Sequence, residues 1–315
     1  MVRRERHADR VNAAVTSGAA ARSSLAASWR RSSALHGLDP AEARPPRRLG
    51  ESELRQAWDR MGGLLGIAQA SLDRLYQAVG GSGCCVLLAD REGVPVDRRG
   101  APGDDSTFED WGLWTGAVWS EGIEGTNGIG TCLIEQRLLT IHRDQHFFDR
   151  NTGLSCTAAP IWDHEARLAG VLDVSSCRGD FNEGMRQLVL LAIGDAARRI
   201  ESEAFRQAFP GTRIVLVPDA EGAMLAVDRD DLVVGASRTA RAALGIDDAR
   251  LKAPLPAADL LHDARGEGFG SAERAVLARA LARAGGNVTA AAAALGISRA
   301  TLHRKLKREA DLKAH

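Results

Sequence analysis

No apolar run in this sequence of 315 residues approaches the roughly eighteen needed to cross a bilayer as a helix, so no membrane span is expected. The Arg-rich N-terminus lacks the apolar core of a secretory signal, and a cytoplasmic location is expected. Cysteine is scarce: five residues, at 84, 85, 132, 156 and 177, are an odd number without paired metal-ligand spacing. That argues for reduced thiols rather than a zinc or disulfide framework. No glycine-rich loop ends in Gly-Lys-Ser/Thr, so no nucleotide hydrolase is visible. Neither sign of charge dominates: 41 Lys and Arg face 41 Asp and Glu, which alone says nothing about a polyanionic partner. No cofactor and no metal are expected.

Charge is distributed locally instead. Residues 271–315 hold nine Lys or Arg against three Asp or Glu, and residues 1–50 hold ten Arg against four acids. The middle therefore carries the compensating negative excess. A neutral chain with a basic end can follow a phosphate backbone, because binding depends on local counterion release. The N-terminal arginines read either as a second DNA-touching arm or as an ordinary solvated segment.

Residue order at the basic end is more specific. Val288 to Leu295 is nearly all alanine, a strong helix former with little bulk. Gly296 stands where the chain must leave that helix, and Ser298 is placed to cap the next. In the second helix Leu302 and Leu306 face inward with Leu295 and Ile297. An upstream helix from Ala272 to Ala284 supplies Val276, Leu277, Ala280 and Leu281. Two short helices and a tight turn make a helix-turn-helix, whose second helix enters the DNA major groove. Arg299, Thr301, His303, Arg304 and Lys305 point away from the core, and Lys307 is better placed for phosphate. The alternative is a solvated basic C-terminal helix.

Upstream, Arg44-Pro45-Pro46-Arg47-Arg48 closes a short helical segment over residues 1–50. Leu54, Trp58, Met61, Leu65, Ala68, Leu72, Leu75 and Val79 then alternate spacings of four and three, the seam of a long helix in a coiled coil or bundle. It stops at Gly80-Gly81. A comparable helix is expected from about Glu183 to Phe209, with Val189, Ile193, Ala196 and Ile200 on one stripe. Two such helices flanking a β-rich module suggest a homodimer whose bundle transmits a signal; the alternative is that both seams pack on their own sheet. Candidate strands are Cys84–Asp90, Leu138–Arg143, Cys156–Trp162 and Leu168–Ser175. The last two form a hairpin across Asp163-His164-Glu165-Ala166-Arg167. Residues 111–131 gather three of the six Trp with Gly112, Gly116, Gly122, Gly125, Gly128 and Gly130. Aromatics in glycine-rich backbone can wall a small-molecule pocket, or simply pin a loop to the sheet.

Several of these stretches resemble a known family. Trp119-Ser120-Glu121, Gly125-Thr126-Asn127-Gly128-Ile129-Gly130-Thr131, His142-Arg143-Asp144-Gln145-His146-Phe147, Cys156-Thr157-Ala158-Ala159-Pro160-Ile161 and Gly170-Val171-Leu172-Asp173 look like the sensory GAF domain of acetoin/glycerol-catabolism regulators. So do Ser28-Trp29-Arg30-Arg31-Ser32 and Gly37-Leu38-Asp39-Pro40. The stretch from Glu273 to Lys307 resembles the Fis-type DNA-binding domain that ends many bacterial transcription regulators. Residues 212–262 resemble a PAS-like segment in Leu225-Ala226-Val227-Asp228 and Gly235-Ala236-Ser237, although they are short for a complete PAS fold.

The resemblance implies an α+β chain. Residues 51–208 would form a GAF sensor with an antiparallel sheet flanked by long bundle helices, 209–265 a PAS-like connector, and 270–315 an all-α Fis-type helix-turn-helix. It implies a small-molecule effector bound among Trp111, Trp114, Trp119, Glu121, Thr126, Asn127, Thr131, His142, His146, Cys156 and Ala158. It also implies a homodimer holding double-stranded DNA through Ser298, Arg299, Thr301, His303, Arg304 and Lys305, with Lys307 on phosphate. His303 stands where the family more usually has Arg, Lys or Tyr. In the family an ATPase module separates sensor from DNA-binding domain. Here the intervening segment is too short for one, with neither a nucleotide loop nor a Gly-Ala-Phe-Thr-Gly-Ala motif. Regulation is therefore expected by occupancy, by contact with RNA polymerase, or through a partner regulator bearing the ATPase.

Catalytic readings are weaker. His142 and His146 are four apart but follow an expected strand, so no helical metal pair is implied. Cys132, Cys156 and Cys177 suit a redox switch or reductase site, or inert buried thiols. A GAF-based thiol sensor or reductase with an incidental basic tail is thus the rival reading. Asp173, on an expected strand, suits a ligand hydrogen bond or a turn cap, and the sequence leaves both open. The chain reads as a transcriptional regulator, not an enzyme.

Overall fold

Strand β1 (Cys84–Asp90) is buried at all seven positions, the mark of a strand covered on both faces. In the computed structural model, which describes residues 6–261 and 269–313, it lies inside a five-stranded antiparallel sheet. β2 (Pro95–Arg99), β3 (Leu139–His142), β4 (Ser155–Trp162) and β5 (Leu168–Ser176) complete the sheet in the order β2-β1-β5-β4-β3. The four strands read from the sequence are present, and the expected hairpin forms: Asp163 N–H donates to the Arg167 carbonyl at 2.9 Å. β2 is additional. It starts on proline and carries Asp97, Arg98 and Arg99, the composition of an edge strand.

Alternation sorts the side chains into two cores. Val86, Leu88, Ala159, Ile161, Leu172 and Val174 face α3 (Glu51–Met61), α4 (Gly63–Val79) and α8 (Glu183–Ala208). Cys85, Leu87, Ala89, Cys156, Ala158 and Val171 face a second layer. That layer is built from α5 (Asp105–Asp110), the segment 111–127 with its single turn α6 (Glu121–Glu124), and α7 (Gly128–Glu135).

The expected continuous helix from Leu54 to Val79 is broken. Gly62 adopts φ +50°, a conformation open to glycine, and so separates α3 from α4. Met61, Ala68, Leu72, Leu75 and Val79 bury in the same core as the sheet and α8 of their own chain. Trp58 stays 41% exposed, its indole N–H donating to the Val96 carbonyl at 2.9 Å. This corrects the coiled-coil reading of the seam. A helix partner and a sheet demand the same apolar stripe, so spacing alone could not separate them.

The N-terminal helices α1 (His7–Thr16) and α2 (Ser24–Arg30) pack into the same unit as the five-stranded sheet rather than forming a separate piece. Val11 and Trp29 pack with Phe147 and Phe148. Several of the N-terminal arginines are engaged internally: Arg10 with Asp144 at 2.7 Å, Arg31 with Glu121 at 2.9 Å and Arg48 with Glu109 at 2.8 Å. These three are therefore not a free DNA-touching arm. β6 (Arg213–Leu216), β7 (Met224–Val227) and β8 (Val233–Ala236) form a three-stranded antiparallel sheet, followed by α9 (Arg238–Leu244) and α10 (Asp248–Leu251). Met224 and Ala226 pack on Phe205 near the end of α8, and the whole segment belongs to the compact unit Met1–Leu255. Residues 1–5 of the expected N-terminal segment and 262–265 of the expected connector lie outside the described residues.

A second unit, Pro256–His315, contains α11 (Ala257–Leu261), α12 (Phe269–Arg283), α13 (Val288–Ala294) and α14 (Arg299–Lys313). Leu277, Ala280, Ala291, Ala292 and Leu302 are its buried core, with Leu281, Leu295, Ile297 and Leu306 partly buried around them. Val276 departs from expectation and is 42% exposed, whereas its neighbour Leu277 is buried in the core. With so few buried residues, Leu302→Ala should cost about 2–5 kcal/mol and unfold this unit alone. Calorimetry of the intact chain should then lose the C-terminal transition and keep the sensor's; an unchanged profile would contradict this core.

Candidate functional site

Local chemistry positions the basic helix. Asn287 starts α13 by accepting the N–H groups of Thr289 and Ala290 at 3.0 and 3.1 Å. Gly296 turns the chain at φ +66°, and Ser298 Oγ caps α14 by accepting the Thr301 N–H at 3.1 Å. Leu302, fully buried, then fixes the rotation of α14. At about 3.6 residues per turn, Arg304 falls nearly opposite Leu302, while Arg299 and His303 share one flank of the helix. All three are exposed.

The other expected DNA contacts are partly committed within the unit. Thr301 Oγ1 and Ser298 Oγ share a hydrogen bond of 2.9 Å, and the Lys305 ammonium pairs with Glu273 on α12. Lys305 is thus not a free surface cation: its charge is shared, and it ties α14 to α12. The Lys307 side chain lies outside the described residues.

The expected effector residues do not converge on one open pocket. Glu121, Thr126 and Thr131 are buried in a polar network closed by the N-terminal helix. Ser28 Oγ lies 2.7 Å from Thr126 Oγ1, and Arg31 grips Glu121 through Nε at 2.9 Å and Nη2 at 3.2 Å. Asn127 caps α7, its Oδ1 accepting the Gly130 N–H at 2.8 Å while its amide donates to the Trp119 and Gly125 carbonyls. Trp119 in turn donates to the Gly112 carbonyl at 2.7 Å. These residues hold the second layer together. Gly128 explains part of the glycine richness: a Cβ there would lie 2.7 Å from both Asp173 Oδ1 and Cys156 Cβ.

The remaining expected residues divide further. Trp111 packs beside Gly153, and Trp114 stacks on Arg98 at 4.2 Å. His142 Nδ1 lies 3.0 Å from Ser155 Oγ, and its pKa is lowered by desolvation and by Arg186 and Arg143. His146 is fully buried, donates from Nδ1 to the Arg143 carbonyl at 2.9 Å, and is held by burial down at about 4, so it is neutral. Cys156 and Ala158 lie on the second-layer face of β4, in the row that also holds Asp173 and Ser175 of β5. Asp173 was the legible clue to this face, an acid inside an apolar strand. Arg98 on β2 was not legible, being one of three adjacent charged residues.

The thiols are poorly placed for redox chemistry. All five cysteines are free, and four are buried. Burial raises Cys85, Cys132 and Cys156 and pushes Cys84 up to about 11, which suppresses the reactive thiolate.

Burial also pushes the Asp173 carboxyl up to about 7, against a partial offset from the Ser175 hydrogen bond. Its folded pKa exceeds the ordinary value, so its contribution to stability is complete in acid and is lost as pH rises through about 7. Asp173→Asn cannot ionise and should remove this loss. The difference in unfolding temperature should move in the variant's favour between about pH 5 and about pH 8. A constant difference would contradict an ionisable carboxyl buried there.

Comparison with known proteins agrees with both units. The GAF domain family matches residues 63–200, and the bacterial regulatory protein, Fis family, matches residues 270–308. The chain is 36% identical over 181 residues to the acetoin catabolism regulatory protein of Cupriavidus necator, covering 58% of this chain and 27% of that protein. It is 30% identical over 154 residues to the acetoin dehydrogenase operon transcriptional activator of Bacillus subtilis, covering 49% of this chain and 25% of that one. The chain thus spans about a quarter of the length of these curated relatives. The E. coli DhaR(N)–DhaL complex shares the fold with a TM-score of 0.51 at 17% identity, over 71% of this chain and 77% of that one. The chain thus carries a GAF domain and a Fis-family helix-turn-helix on one polypeptide.

Proposed function

We propose that this chain is a cytoplasmic transcriptional regulator. Two copies bind a two-fold operator through α14, and a small effector held in the sensor alters that binding. The carrying observation is that Arg299, His303 and Arg304 are all exposed on a helix capped by Ser298 and rotated by buried Leu302. Such a helix suits the major groove, its first residues reaching base edges. Relatives named as operon regulators and activators support the reading. A second copy would place the two recognition helices about one duplex turn, roughly 34 Å, apart. The outer face of α8 leaves Leu188 64% and Leu191 70% exposed, apolar surface suited to contact between copies. Effector control is then a coupling free energy between two sites on one chain. RNA polymerase or an ATPase-bearing regulator would complete the response. Buried, unreactive thiols count against the rival redox reading.

Replacing Arg299 and Arg304 together with alanine should abolish specific operator binding in a gel shift. It should also lower the salt dependence of residual binding by roughly two counterions. Operator affinity equal to wild type would overturn the assignment of α14.

A further inference from the structure

The sheet face turned toward α5 and α7 carries two polar groups that the rest of the chain leaves half-used. The Arg98 side chain on β2 is only 10% exposed. Its Nη1 donates to Asp105 Oδ1 at 2.7 Å, and its guanidinium stacks on Trp114 at 4.2 Å and over Phe108 at 5.5 Å. Its other edge, Nε and Nη2, is buried without a hydrogen-bond partner. Asp173 on β5 is 1% exposed. Its Oδ2 accepts from Ser175 Oγ at 2.6 Å, while Oδ1 is buried without a partner.

The two groups share one surface. Leu87 is the register partner of both, which sets Arg98 and Asp173 on the same face with one strand between them. Two strand spacings put their Cα atoms roughly 10 Å apart. They are not within ion-pair distance of each other; the salt bridge of Arg98 goes to Asp105. Cys85 and Leu87, both fully buried, lie on the same face of the strand between them.

The chemistry of the unused atoms is selective. An Nε/Nη2 edge offers two parallel N–H groups, the geometry that grips a carboxylate bidentately. An oxygen of Asp173, its partner oxygen already held by Ser175, accepts one more donor. Leaving both unmatched in a water-poor layer costs free energy, and a molecule that reaches from one to the other removes that cost at both ends.

We propose, resting on the reading of this unit as an effector sensor, that this face is the effector subsite and selects a short hydroxycarboxylate. The carboxylate takes the Nε/Nη2 edge of Arg98, and the hydroxyl donates to Oδ1 of Asp173. Residues of the second layer, with Trp114 on Arg98 and Gly128 on Asp173, must part to admit it. Ser175 also sets the polarity of the far end. In Asp173→Asn the amide oxygen takes the Ser175 hydrogen and the NH2 turns to the ligand, so the preference passes from a hydroxy acid to the matching keto acid.

Titration calorimetry on the full chain at about pH 8, above the value to which burial pushes Asp173, tests this with 3-hydroxybutyrate, acetoacetate and 1,3-butanediol. The wild type should bind the hydroxy acid best. Arg98→Lys should weaken it by roughly tenfold to a hundredfold without changing the diol. Asp173→Asn should reverse the order of hydroxy and keto acid. Equal binding of acid and diol by the wild type, or an Arg98→Lys chain that binds the acid normally, overturns the proposal. If Arg98→Lys does not fold, wild-type Trp114 emission decides, with Trp114→Phe as the blank. A saturable change with the acid and none with the diol supports the site, and any other pattern overturns it. Ligands that bind independently of Arg98 would remove this subsite and keep the sensor reading. Operator affinity indifferent to every bound ligand would remove the sensor reading itself.

Discussion

The sensor is governed by a sheet that is apolar on both sides and must be covered twice. Each fully buried Leu, Val or Ile contributes roughly 1.5–3 kcal/mol relative to exposure, so neither face tolerates solvent. One face is closed by long helices, which need only a regular stripe. The other is closed by irregular chain, which must satisfy its own backbone polar groups while lying flat on the strands. The Asn127 cap and the Trp119 indole bond are solutions to that second, harder problem, and the Arg31–Glu121 fork pins the layer to the N-terminal segment. The N-terminal helices belong to the sensor because the fork and the Trp29 contact recruit them.

What could be read from the sequence follows the same division. β1 was visible because two-sided burial writes it as a nearly unbroken apolar run, and β4 and β5 because their apolar stretches flank a polar turn. The helix-turn-helix was visible because its caps, turn and inward leucines lie within one short stretch, and each is a local rule. The break at Gly62 was hidden, since a glycine carries no side chain to disturb a heptad count. β2 was hidden by its own charges. The network joining Ser28 and Arg31 to Glu121 and Thr126 was hidden for a different reason: its members are brought together only by the fold, and no spacing announces them. Glu121, Thr126 and Thr131, expected to line a pocket, are members of this network.

The helix-turn-helix unit obeys a smaller economy of the same kind. Its core is mostly alanine and leucine, with buried Leu302 setting the rotation of α14. Polar contacts complete the specification: Ser298 sets where α14 begins, and the Lys305–Glu273 pair ties it to α12. Exposed ion pairs of this sort are individually weak, near 0–1 kcal/mol, but here the geometric effect matters more than the energy. It keeps Arg299 and Arg304 outward.

Strand β5 is a shared wall with a different tenant on each side. Asp173 looks into the irregular layer, while its immediate neighbours Leu172 and Val174 are in the core that includes α8. The partition between the two chambers is one polypeptide thick. A displacement of this strand therefore reaches both chambers at once, because the same backbone carries the side chains of each.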